Sequence, residues 1–203
     1  MKLKKLMILG LSLGIAFGSF GCTNRNDTTK ENQTTANNTD FANTDYAKTY
    51  TSLYDTNISP LTQYSMYSDV NATTKAYEND ANYPGNEEYV KQLKAAYEDS
   101  RDNIQSFING LKNDAKTDDK TLQSENNNLI NQGNKLIGEI DTKIKNLGNI
   151  QKSAYNQSKN DFINTVNDTT KVNNSIKDDF NQMIKDMNKK LGITNNSMTD
   201  TNK

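Results

Sequence analysis

The acidic residues of the chain come in pairs that could divide the work of general acid–base chemistry: Glu87/Glu88, Asp118/Asp119 and Asp178/Asp179. Neighbouring carboxylates do such work when burial raises one pKa and leaves the other group ionised. The first two pairs stand where helices are expected to start, a position where acids are ordinary. The third falls on a polar helix face, so a structural role is the simpler reading of all three. Residues 114–125 have the acid density of a calcium loop, but they lack its central glycine and place Lys116 at a ligand position. Histidine and tryptophan are absent, and Cys22 is the one cysteine. This argues against a histidine-based catalyst, a Cys/His zinc site and a disulfide scaffold. No phosphate loop, nucleophile elbow or zinc-protease motif is present. The expectation is a chain with no catalytic residues, no metal and no cofactor.

Tyrosine is the unusual internal residue. Nine of the ten tyrosines fall between Tyr46 and Tyr97, with Tyr155 apart. A tyrosine joins a large apolar ring to a polar tip and is enriched at interfaces. One reading makes Tyr46, Tyr50, Tyr54, Tyr64 and Tyr67 a contact surface for a protein or glycan partner. The other packs them as core and rim against Leu93, Tyr97 and Ile104, because few other apolar residues exist in that half to be buried.

Cys22 gains its meaning from what precedes it. Lys2, Lys4 and Lys5 open the chain, and residues 6–20 carry no charge. As a helix that run covers about 23 Å, short of a ~30 Å hydrocarbon core. A basic start, a short apolar run and a small residue before a cut site describe an export signal. Gly21-Cys22 at its end resembles the lipobox of bacterial lipoproteins, although Ser19 and Phe20 differ from the residues usual at their places. The resemblance is confined to the first ~22 residues. It implies a diacylglyceryl thioether on Cys22, cleavage after Gly21, and acylation of the new amine. Each buried CH₂ of such chains contributes about 0.8 kcal/mol, so two chains anchor stably where one does not. A plain secretory signal with an incidental cysteine and an uncleaved anchor are the other readings. The position of the single cysteine favours the lipoprotein.

The remaining composition sets the architecture. Hydrophobic residues make up only 33% of the chain, and 32 residues are asparagine, too polar for a large α/β enzyme with an apolar parallel sheet. The leader holds three of the 24 basic residues and none of the 25 acids, so the rest of the chain carries −4. A mildly acidic surface does not attract phosphate backbones, and nucleic acid is not expected as a partner. Residues 1–21 are thus expected as signal peptide and residues 22–43 as a disordered Thr/Asn-rich tether with a reach of about 25 Å. Residues 44–192 follow as a helical domain, and residues 193–203 as a disordered tail.

Within the helical domain the apolar spacing is that of helices throughout. Tyr46, Tyr50, Leu53 and Tyr54 share one face. Ser59 as cap with Pro60 in the first turn predicts a second helix with a weak stripe through Leu61, Tyr64, Met66, Val70 and Tyr77. Asn86 is the expected cap of a third, whose seam runs Val90, Leu93, Tyr97, Ser100, Ile104, Phe107 and Leu111. Gly110 and the polar run 113–120 should end it, with Thr117 or Asp118 capping the next. Two stripes follow, Leu129 to Ala154 and Phe162 to Leu191, with Gly148 and residues 167–174 as candidate fold-back points. Gly192 reads as a C-terminal cap. The fold class is therefore all-α, an elongated antiparallel helical bundle or hairpin whose exposed seams could support self-association.

Functionally, the plan is that of a membrane-anchored extracytoplasmic lipoprotein. Its non-enzymatic helical ectodomain would serve as an interaction or structural module, with a cell-wall or envelope-protein partner. In architecture it is similar to helical lipoproteins assigned to cell-wall binding in Gram-positive bacteria, without a diagnostic ectodomain motif. The alternative is a host- or phage-facing surface protein, an adhesin or exclusion factor. An enzyme survives only as a carboxylate-based hydrolase.

Overall fold

The structure, a computed structural model, describes residues 41–172 and 175–193. The signal peptide, Gly21, Cys22, all of the tether up to residue 40, and residues 194–203 of the tail lie outside the described residues. Six α-helices are present among the described residues: α1 Asp45–Asn57, α2 Val70–Ala76, α3 Asn86–Asn113, α4 Lys120–Leu147, α5 Lys159–Thr170 and α6 Ser175–Lys190. Short 3₁₀ turns fill Ser59–Tyr64, Asp80–Asn82 and Lys152–Asn156. No described helix is long and apolar enough to cross a membrane.

These elements stack as four antiparallel columns. α3 and α4, 28 residues each, are about 42 Å long and form an uninterrupted central hairpin. Their order of contact shows the antiparallel pairing: the Tyr97 ring lies under the Lys143 ammonium, while further along Leu111 O accepts from Asn126 Nδ2. The first column is α1, the Ser59–Tyr64 turn and α2. It runs down α3 from Tyr50 on Phe107 to Tyr64 on Asp99. The last column is α5 and α6. It starts with Phe162 on Tyr89, and α6 lies against α4 from Gln132 to Glu125. The all-α antiparallel bundle expected from the apolar stripes is what forms; of the two candidate fold-back points, the chain reverses at Gly148, and the break after Thr170 interrupts the last column without reversing it.

The caps show where local sequence and structure part. The Oγ1 of Thr44 accepts from the Ala47 N–H and starts α1. Its hydroxyl also donates to Phe41 O, and Phe41 packs on the core, so the folded body begins before the expected tether ends. No α-helix starts at Ser59. Ile58 stays helical, Ser59 makes no capping bond, and Leu61 N–H bonds back to Ile58 O in a 3₁₀ turn. The expected second helix is thereby reduced to α2, capped by Asp69 Oδ1 on the Ala72 N–H.

α3 is entered through Gly85, whose φ of 92° no side chain favours. Asn86 is freed from the capping expected of it. Its amide donates to the carbonyls of Tyr155 at 2.9 Å and Gln157 at 3.0 Å, lashing the start of α3 to the segment after α4. The cap of α4 is Asp119, not Thr117 or Asp118: its Oδ1 accepts from the Leu122 N–H at 2.9 Å. α3 also runs past Gly110, which is buried against Leu53 and does not terminate it. Gly192, at φ 68°, closes α6 as expected. Its N–H reaches Lys189 O, and the Ile193 N–H reaches Asn188 O. Ile193 therefore belongs to the body and not to the tail.

Candidate functional site

Burial separates the two readings of the tyrosines. Tyr46, Tyr50, Tyr54 and Tyr67 are 0–6% exposed, so they form no contact surface in this fold. Tyr64 is half-buried, and its hydroxyl donates to Asp99 at 2.8 Å. The correction has a compositional cause: this half of the bundle has little else to bury. The rings of Tyr46, Tyr50 and Tyr54 stack one turn apart along α1, with Phe107 edge-on to the middle one. The hydroxyls are satisfied from other columns, Tyr46 by Asn126 Oδ1 and Tyr50 by Asn188 Oδ1, both at 3.0 Å. A second cluster joins Tyr67, Tyr77, Tyr83 and Tyr89 to Phe162 and Tyr155 at the other end. Burial pushes the Tyr46, Tyr50, Tyr67 and Tyr89 phenols well above their ordinary range.

The acid pairs lie apart from one another. Glu87 and Glu88 are exposed in the first turn of α3, Asp118 is exposed beside the capping Asp119, and Asp178 and Asp179 are exposed on α6. Among the described residues, no three His, Cys, Asp or Glu side chains gather where they could hold a metal ion.

What the fold does bring together is a cavity at its waist. Both interrupted columns lose their helix at the level of Tyr97 and Lys143: the first before α2, the last between α5 and α6. The gap left there is a cavity of about 90 Å³ walled by Leu61, Ile104, Leu136, Ile140 and Phe180, with one contributing residue or more from each column. Tyr67, Ser68, Tyr97 and Lys143 line it and also a neighbouring cleft of about 210 Å³ that runs toward α5.

The charges at this waist are Glu139 and Lys143 from α4 and Lys177 from α6. Lys143 is half-buried, and its ammonium sits 5.6 Å from the centroid of the Tyr97 ring. Desolvation holds its pKa below the usual lysine range, the nearby Lys177 adds to this, and Glu139 opposes it. Burial raises the Glu139 pKa, against the pull of Lys143 and Lys177. Asp69 stands close, but its carboxylate is engaged as the cap of α2, and its pKa is lowered chiefly by the Ala72 N–H. Burial pushes Tyr97 up to about 12, with Thr170 partly offsetting it.

Sequence spacing did not single out Glu139, Lys143 or Lys177. On a polar helix face each reads as a solvated charge. Only the Glu139–Lys143 spacing of one helical turn links two of them. No protein-family model matches the chain, and neither a curated protein nor a solved structure matches it.

Proposed function

We propose that the chain is a lipid-anchored extracytoplasmic protein whose helical body is a non-catalytic contact module of the cell envelope. One observation carries the reading: the single cysteine of the chain stands at Gly21-Cys22, where an uncharged run headed by three lysines ends. Two acyl chains on Cys22 would hold the protein at the membrane face. The spacer that follows, with a reach of about 25 Å, would let the body stand off the lipid.

The geometry of the body suits that plan. Ala42, at the entry to α1, lies against Gly192 at the close of α6, so the body is entered beside its own exit. The α3–α4 turn lies at this same end, since Tyr46 and the neighbouring Asn126 meet there. A tether attached at residue 41 would thus present the opposite end, with the loops around Tyr83 and Tyr155, outward to an envelope partner. The acid pairs, which were the carboxylate chemistry legible in the sequence, stand outside the waist cavity, all exposed but Asp119, which caps α4.

The test is Cys22→Ser in the native host. The variant is expected to leave the membrane fraction and to lose incorporation of labelled palmitate. Retention in the membrane with unchanged labelling would sink the anchoring reading. For the contact role, the purified protein should be retained on isolated envelope material and show no turnover of glycan or peptide substrates.

A further inference from the structure

We propose that the waist cavity is a binding site for a small monoanion with an apolar body, a short-chain carboxylate. Its chain would lie among Leu61, Ile104, Leu136, Ile140 and Phe180, and its head between the ammonium groups of Lys143 and Lys177. This goes beyond the anchoring reading and does not depend on it.

Three features of the site select this ligand. The walls are apolar side chains drawn from every column, the lining common to small-molecule sites, with a few charged groups to fix orientation. Lys143, Lys177 and Glu139 line the cavity, and Asp69 keeps its charge while it caps α2 and lies near Lys177, so the cation left with least compensation is Lys143. The Lys143 ammonium is desolvated over the Tyr97 ring and makes no direct ion pair with a carboxylate among the described residues. Burying a cation without a partner is costly, and a ligand carboxylate beside Lys143 would supply one.

Size sets the limit on the apolar part. A 150 Å³ apolar cavity accepts benzene. In proportion the ~90 Å³ here holds about four carbons, and a five-carbon chain fills it with its first methylene in the open mouth. A neutral alcohol of the same length would fill the walls but leave the lysines as they are. An alkylammonium would add a third cation beside them.

The experiment uses the full chain in phosphatidylcholine nanodiscs and hexanoate as the probe. Binding is read from the methyl resonances of Ile104 and Ile140, which line the cavity, against Ile58 and Ile184, which do not. Saturable shifts at the first pair alone are expected, with a Kd on the order of 1 mM for so few atoms. Hexanol should bind at least tenfold more weakly, and hexylammonium should give no saturable shift. Lys143→Met and Lys177→Met should each weaken hexanoate at least tenfold. Leu136→Phe fills the cavity, leaves both lysines in place and should abolish the shifts. Near-UV circular dichroism confirms that each variant keeps its packed aromatic core. Equal affinity for hexanoate and hexanol, hexanoate binding unchanged in the folded lysine variants, or no saturable shift at Ile104 and Ile140 would each overturn the proposal.

Discussion

Gly133 of α4 and Ile108 of α3 approach so closely that a Cβ on Gly133 would lie 2.6 Å from Cγ2 of Ile108. The same Cβ would meet the Phe180 ring at 3.3 Å, so α3, α4 and α6 converge on this one missing side chain. A helix-interior glycine costs about 1 kcal/mol against alanine. At position 133 that cost is outweighed by close packing of three columns. Gly133→Ala should therefore destabilise by about 1–3 kcal/mol, the usual range for overpacking a rigid core. Gly138, on the outside of the same helix, has nothing within 4 Å of its Cβ direction. Gly138→Ala should instead stabilise by up to about 1 kcal/mol. Urea unfolding of the two variants checks the opposite signs.

The hydroxyl of Tyr50 donates to Asn188 Oδ1 in a fully buried setting, while Asn188 Nδ2 finds no partner among the described residues. Tyr50→Phe would leave the whole Asn188 amide unpaired and should cost about 1–3 kcal/mol. Pairing it with Asn188→Leu removes both polar partners. The double variant should recover most of that loss, because replacing both ends of a buried bond is far cheaper than orphaning one. A double-mutant cycle by denaturant unfolding measures the coupling. Additive losses would show that the pair does not act as a unit.

The parts of this fold that were legible in the sequence are those set by local spacing. Of the seam Val90, Leu93, Tyr97, Ser100, Ile104, Phe107 and Leu111, all but the half-buried Val90 are buried, since α3 and α4 are long, uninterrupted and amphipathic. The expected second helix failed because its weak stripe, which begins just after Pro60, crosses the polar residues Ser65, Ser68 and Asp69, and Asp69 starts a new helix by capping α2. The seam also omitted Tyr89, Ala96 and Ile108, which are buried because α1, α4 and α5 all press on α3. A single stripe describes a helix with one neighbour, not one with three. The waist site was invisible for a similar reason. Lys143 and Lys177 stand on different helices with two chain breaks between them, and their proximity depends on how those breaks register.

Alkaline pH should unfold the bundle through its tyrosines. Burial holds Tyr46, Tyr50, Tyr67 and Tyr89 well above the ordinary phenol value of 10.0, and raises Tyr64, Tyr83 and Tyr97 to about 12. A folded-state pKa above the unfolded one means the unfolded chain releases protons first. The stabilisation is therefore complete below pH 10 and falls as pH rises toward 12 and beyond. Phenolate absorbance near 295 nm should develop largely together with loss of helix over that range. Substantial ionisation of these tyrosines at pH 10 with helicity intact would contradict it.

Lys143 works in the opposite sense and tests whether the waist is built at the expense of stability. Its pKa is depressed, first by desolvation and then by Lys177, so the charged side chain opposes folding at neutral pH. The unfolded chain holds the proton more tightly, and the penalty fades as pH rises through the window below 10.5. Removing the charge while keeping the aliphatic stem over Tyr97 removes the penalty and retains the packing. Lys143→Met should therefore equal or exceed the parent chain in stability at pH 7, with the gain shrinking by pH 9.5, below the onset of tyrosine ionisation. Lys143→Ala should be less stable than Lys143→Met at both pH values, because it also empties the space over the ring. Thermal unfolding of the three proteins at the two pH values separates charge from packing. A Lys143→Met variant clearly less stable than the parent at pH 7 would mean that the ammonium contributes net stabilisation through Glu139 and the Tyr97 ring, and that the cavity is not strained by it.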